Sequence, residues 1–348
     1  MRYLREGTVH HSLPVFYRLI HRMQIVAHCA SKFKIPLAST EPNDVFQSPD
    51  VNVVFILTSD EYHEEYIIAA LKAGKNVMTE KPISLSVPSA QRIIQAEKDA
   101  NGPRVFVGYM RRYAHSFVQA FKREIASIPQ ILYAQSRDIL GPNSFFVAQS
   151  GTFQEKNTDF PSSAAEQRQK RLDVLYAEAF PNQEITSEHI NYCRFLGGLG
   201  SHDLSLLREA LGSPESVAGV SVNHPFYSAI FNYRNKTGEP FAVSYETGND
   251  NVPDFDAHLT VYGEDKRVMI KYDTPYVKGL AIKVVVQETN EFGEVQTREM
   301  ISSYEDAYTA EMIEVYECFV NGKTIKTSAT DALQDLELFD MMYKKWSH

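Results

Sequence analysis

Hydrophobic and polar positions follow one rhythm in the first third of the chain and another in the second half. Val51 to Thr58 reads VNVVFILT, a continuous apolar run rich in β-branched residues, the pattern of a strand buried on both faces. Asp60 is placed as the N-cap of a helix running to Ala73, and Gly74 sits where a C′ glycine belongs. Asn76 to Glu80 reads as a further short strand. Ser86 opens a second helix that runs to Ala100 and closes at Asn101-Gly102, and Arg104 to Met110 reads as a strand again. Upstream, Gln24 to Ala30 also reads as a strand. Strand and helix alternating at short spacing predict a parallel, doubly wound sheet.

The rhythm changes after about Tyr113. Gly141 to Pro161 is polar and loop-like, and Ser163 to Phe180 has the pattern of a charged helix. A second apolar-periodic segment, carrying several glycines, spans roughly Glu188 to Leu211. Seven alternating segments follow, at Ser216 to Val222, Ser228 to Tyr233, Phe241 to Glu246, Ala257 to Tyr262, Lys266 to Tyr272, Ile282 to Glu288 and Val295 to Met300. They predict a large, mostly antiparallel open sheet. Helices Tyr308 to Val320 and Thr330 to Trp346 finish the chain, with Thr330 placed as an N-cap. The fold class is therefore α/β. Residues 1–115 are expected to form a Rossmann-type dinucleotide-binding domain. Residues 116–348 are expected to form an α/β domain for substrate and oligomerisation.

Composition narrows the function. A length of 348 residues points to two domains, and 43% apolar with 23% charged residues is ordinary for a soluble protein. No apolar stretch is long enough to span a membrane, and no secretory h-region opens the chain. Cys29, Cys193 and Cys318 lie far apart and form no disulfide framework, which suits the cytoplasm. A formal charge of −9 with no basic run argues against nucleic acid as a partner. The exposed face of a large open sheet predicts a homo-oligomer.

Candidate chemistry sits at strand ends, because a doubly wound sheet binds ligands at the carboxyl ends of its strands. Thr58-Ser59-Asp60 closes the most apolar strand and Glu80-Lys81-Pro82 closes the next. Pro82 fixes its own φ and pushes Lys81 toward an extended conformation, so the lysine is oriented. A second candidate is Gly197-Gly198-Leu199-Gly200-Ser201-His202-Asp203, where glycines permit close approach and His202 is placed as a general acid or base. Ordinary readings stand beside both: a loop lysine, and a tightly packed helix start with His202 buried in a hydrogen bond. His10 and His11 are adjacent and lack a third ligand, and no HExxH, CxxC or Walker motif is present, so no metal is expected.

The run TSDEYHEEYIIAALKAGKNVMTEKPISLS is similar to the segment of Gfo/Idh/MocA oxidoreductases that carries a T-P-x-x-x-H turn, a helix and an E-K-P element. VGYMRRYAHSF and LGGLGSHDLSLLREALG resemble the same family's next segment and its histidine-bearing helix. GPNSFFVAQSGTF, SYETGNDNVPDFDAHLTVYG and YDTPYVKGL resemble an inositol-dehydrogenase-like fungal and bacterial subgroup, and the likeness covers roughly residues 24 to 345. The resemblance implies oxidation or reduction of a secondary alcohol on a sugar, inositol or related polyol with NAD or NADP. It implies Lys81 and His202 as catalytic residues. It places Thr58, Ser59, Asp60, His63, Glu80 and Lys81 at the cofactor, and Arg112 and Asp203 at the substrate.

Three departures go with it. Gly198 stands where the family often has an aspartate, four residues before the histidine, and Asp203 is the neighbouring acid. Ala30-Ser31-Lys32 stands where an acid normally meets the ribose 2′-hydroxyl, so Ser31 is assigned to the cofactor and a 2′-phosphate gains weight. Met1 to Met23 contains only Gly7, so the first strand and glycine loop are expected to be incomplete and dinucleotide binding weak. The alternative implied by these departures is a non-catalytic nucleotide-binding regulator, or a defective isoform, on the same fold.

Overall fold

The structure is a computed structural model that describes residues 28, 30–35, 38–151 and 162–346. A short helix α1 (Pro42–Phe46) precedes β1 (Val53–Ile56), β2 (Asn76–Glu80) and β3 (Val105–Gly108), which pair in parallel in the order β1-β2-β3. Two helices connect them, α2 (His63–Lys72) and α3 (Val87–Ala100). The sequence signals act as expected at several of these ends. Ser86 caps α3 by accepting from the Ser89 backbone N–H, and Asn101 takes the left-handed conformation that ends it. Gly74 has φ +75°, a conformation that costs glycine little and other residues more. Asp60 is not the cap of α2: Tyr62 holds that position, and Asp60–Tyr62 is a 3-10 turn, itself preceded by Ser59, that feeds α2.

Ile67, Ala70 and Leu71 of α2 and Ala90 and Ile93 of α3 are buried and bring one side of the sheet into the main core. The other face is closed late in the chain. Ala310, Val315 and Cys318 of α9 (Ala307–Phe319) pack on Met78 and Phe106. The Val107 N–H donates to the Thr327 carbonyl at 2.8 Å, satisfying part of the outer edge of β3.

The strand expected at Gln24 to Ala30 needs correction. His28 and residues 30–33 are helical, and 24–27 and 29 lie outside the described residues. Met1 to Met23, with Gly7, also lie outside them.

The second half is built on an eight-stranded sheet of order β11-β10-β9-β8-β4-β7-β6-β5. Its strands are β4 (Tyr133–Leu140), β5 (Ser216–Asn223), β6 (Phe226–Arg234), β7 (Pro240–Asn249), β8 (Phe255–Tyr262), β9 (Lys266–Tyr272), β10 (Lys283–Thr289) and β11 (Val295–Met300). All pairings are antiparallel except β4 with β7. Seven strands lie where the alternation placed them, but the central β4 was not expected. Residues 116–126 form a π turn, Ser116–Phe121, running into α4 (Lys122–Ala126). The stretch expected to be all loop contains α5 (Asn143–Ala148), while 152–161 lie outside the described residues. α6 (Ala164–Ala179) follows. α7 (Ser187–Phe195) continues through a π turn, Leu196–Gly200, into α8 (Ser201–Leu211), so the glycines lie inside one continuous helical run. α10 (Ala329–Trp346) closes the chain, beginning one residue before the expected cap at Thr330.

Candidate active site

The carboxyl ends of β1 and β2 turn sharply, and His63 ties the two turns together. Its side chain is fully buried, with Nδ1 at 2.7 Å from the Pro82 carbonyl and Nε2 at 3.1 Å from the Thr58 carbonyl. His63, expected at the cofactor, stands at the start of α2 with its ring tucked beneath the turns. Ser59 donates to Glu61 at 2.7 Å, and Glu61 is held by Arg168. Thr58 Oγ1 is buried with no hydrogen-bond partner, a hydroxyl available to a ligand at the strand end.

Lys81 follows β2 directly, and its peptide bond to Pro82 is cis. The ammonium donates to the Gly198 carbonyl on the helical run opposite. Burial lowers the Lys81 pKa, partly opposed by the charges of Glu80, Asp60 and Asp203. Glu80 is half-buried, and burial raises its carboxyl against the pull of Lys81.

The helical run approaches this turn closely because Gly197 allows it, and Gly200 allows a second close approach, to β7. A Cβ on Gly197 would meet Leu85 Cδ2 at 2.6 Å and Pro82 Cγ at 3.2 Å. A Cβ on Gly200 would meet the Tyr245 hydroxyl at 2.9 Å. At Gly198 an added Cβ meets nothing within 4 Å. The expected glycine turn is a packing surface along a helix, and His202 stands one turn beyond it.

Lys81 and His202 line one cavity of about 370 Å³. Its walls also include Met110, Arg111, Leu140, Asn143, Arg194, Phe195, Gly198, Leu199, Asn249, Phe255, Pro275, Tyr276 and Tyr308. Burial and the neighbouring charges of Lys81 and Arg111 hold the His202 pKa well below its ordinary value of 6.5, so the imidazole is neutral at pH 7. Its Nδ1 is buried without a partner.

Arg111 was not singled out in the sequence. It is buried, and its Nη1 donates to Asp138 at 2.9 Å and to Asp203 at 2.5 Å. Its guanidinium lies 5.1 Å from the Tyr272 ring centre. Burial pushes the Asp203 carboxyl well above the usual range, reinforced by the charge of Asp138 beside it. Asp203 thus lies behind the described cavity wall, paired with Arg111. Arg112, expected at the substrate, is placed on the opposite side of the turn. It lies outside the cavity walls and is consumed by Glu209, at 2.6 Å from Nε, and by Asp331. The short 3-10 turn Met110–Tyr113 sends the two adjacent arginines in opposite directions.

Ser31 is exposed within the helical residues 30–33, so it does not end a strand as expected. Among the described residues, no cluster of metal-ligating side chains occurs.

Comparison with known proteins fits this arrangement. Residues 14–109 match a family model described as an oxidoreductase family, NAD-binding Rossmann fold. Residues 189–348 match its companion, the C-terminal alpha/beta domain. An inositol 2-dehydrogenase of Paracoccus denitrificans is 34% identical over 101 residues, 28% of this chain and 30% of that protein. A myo-inositol 2-dehydrogenase of Thermotoga maritima is 31% identical over 123 residues, 34% of this chain and 36% of that protein. The aligned stretches thus span about a third of these relatives' length. Among solved structures, a levoglucosan dehydrogenase in complex with NADH and levoglucosan superposes with a TM-score of 0.70 at 16% identity, covering 96% of this chain and 88% of that one. A parallel sheet with an E-K-P turn, a mixed open sheet behind it, and both matching family models make this chain a member of the Gfo/Idh/MocA oxidoreductase family.

Proposed function

We propose that the protein is an NAD- or NADP-dependent oxidoreductase that moves a hydride to or from a secondary alcohol of a sugar, inositol or related polyol. The observation that carries this reading is the meeting of Lys81 and His202 in one cavity beside the carboxyl end of a parallel strand. The described residues fit the nicotinamide half of such a cofactor. Thr58 offers an unpartnered hydroxyl, and Asp60, Glu80 and Lys81 stand at the strand ends around it. A bound dinucleotide supplies the hydride acceptor.

In the oxidative direction the C–H bond of the carbinol breaks with its electron pair, and the O–H proton leaves to the protein. His202 is the base for that proton. Its neutral imidazole and buried Nδ1 leave Nε2 to receive it. The Lys81 ammonium hydrogen-bonds the reacting oxygen and stabilises the developing alkoxide charge. Arg111 holds the wall behind them, anchored by Asp138 and Asp203.

Residues 1–115 and 116–348 are the cofactor and substrate domains in this reading. The buried, unbridged Cys193 and Cys318 support a reducing compartment, the cytoplasm. Phe226 and Ile230 on the exposed face of β6 support association through the large sheet into a homo-oligomer.

The test is cofactor reduction against a panel of polyols and sugars, with NAD and NADP in parallel. Turnover that falls steeply in both Lys81→Ala and His202→Asn supports the reading. Nucleotide binding without turnover on any panel member would favour a regulator on the same fold.

A further inference from the structure

Among the described residues, the cavity is lined by three cationic side chains, Lys81, Arg111 and Arg194, and by no carboxylate. Their charges are not equally available. Arg111 is held from behind by Asp138 and Asp203, and Lys81 already donates to the Gly198 carbonyl. Arg194 makes no hydrogen bond or ion pair among the described residues, and it is exposed at the cavity.

Arg194, Gly198 and His202 follow one another at intervals of four along the helical run and all face the cavity. Side chains on a helix lean toward its N-terminus, so His202 leans over Gly198 toward Arg194. Packing does not demand glycine at 198, since an added Cβ there meets only open space. Where the family resemblance implies an aspartate there is room beside a guanidinium that is unpaired among the described residues.

We infer that this site takes a sugar or polyol acid, whose carboxylate pairs with Arg194 in the space above Gly198 while its carbinol lies at Lys81 and His202. A planar guanidinium matches a carboxylate in two parallel hydrogen bonds. The substrate supplies the negative charge that the described residues of the cavity wall lack. The inference rests on the oxidoreductase reading only for the placement of the carbinol.

The experiment compares matched pairs that differ at one carbon: D-glucuronate with D-glucose, and D-galacturonate with D-galactose. D-glucose 6-phosphate is added as a phosphate control. Binding is measured by calorimetry with NAD or NADP present, and turnover by cofactor reduction, for the wild-type protein and Arg194→Gln. At least one acid should bind more tightly than its neutral partner, by between about 10- and 100-fold for a charge-assisted pair. In Arg194→Gln that ratio should collapse toward one, through KM more than kcat.

Acid binding that depends on Arg194 without any turnover would support the anion site and refute the oxidoreductase reading. Turnover with equal preference for acid and neutral sugar would do the reverse. Failure of every acid to bind, tighter binding of the phosphate than of the acids, or an unchanged ratio in Arg194→Gln would overturn the inference.

Discussion

Burial moves the pKa values of Lys81 and His202 down together, and each is further shaped by the other's surroundings. A neutral His202 is needed to accept a proton, so oxidation should persist below pH 6.5 and fail only where the depressed imidazole protonates. A charged Lys81 is needed to hold the alkoxide, so activity should fall before pH reaches 10.5 on the alkaline side. The pH dependence of kcat should therefore be a bell lying acid of both ordinary values. His202→Asn should remove its acid limb, and a profile that holds activity up to the ordinary lysine value would contradict the Lys81 assignment. Lys81→Ala should lower kcat by about 100-fold or more with cofactor affinity nearly intact, because the cation acts mainly on transition-state charge. Steady-state kinetics beside a cofactor titration checks this. Arg111→Met should cost about 3–5 kcal/mol in denaturant unfolding, because it strands two buried carboxylates. Lys81 and His202 were legible because each ends a pattern that points at it. Arg111 was not, because only the 3-10 turn decides which of two adjacent arginines enters the cavity and which meets Glu209 and Asp331.

The helical run from Ser187 to Leu211 sets how closely the two sheets' elements meet, and its glycines do different work. Gly197→Ala drives a methyl group into Leu85 and Pro82, next to Lys81, and should cost about 1–3 kcal/mol while also lowering kcat. Gly198→Ala fills open space and should stabilise the fold by about 0.5–1 kcal/mol. Thermal or denaturant unfolding of the two variants, made side by side, checks the opposite signs. Equal losses would mean that both positions are packed. The helices α2 and α3 and seven strands of the large sheet were legible from period and end signals. The central strand β4 was not. Its inward positions are Ala134, Ser136, Asp138 and Leu140, so two of its four buried residues are polar and the alternation is masked. Asp138 is buried there because Arg111 compensates it, a long-range pairing that no local pattern reveals.

At the scale of the molecule, a parallel sheet supplies the Lys81 turn and a mixed sheet with its helical run supplies His202, Arg194 and the anchors of Arg111. The family and this architecture were legible because the E-K-P segment and the histidine helix each sit at an element end. The neutralised acids behind the cavity were not, because they depend on the meeting of β4, α8 and the turn after β3. The step on which the proposed function turns is hydride loss from a substrate carbinol in this cavity. Deuterium at the carbinol carbon of a turned-over substrate tests it most directly, read by the mass of the reduced cofactor. The label is expected in the reduced cofactor with wild-type protein, and its transfer is expected to slow by about 100-fold or more with Lys81→Ala. Reduced cofactor without the label, or label transfer at an undiminished rate in Lys81→Ala, would contradict it.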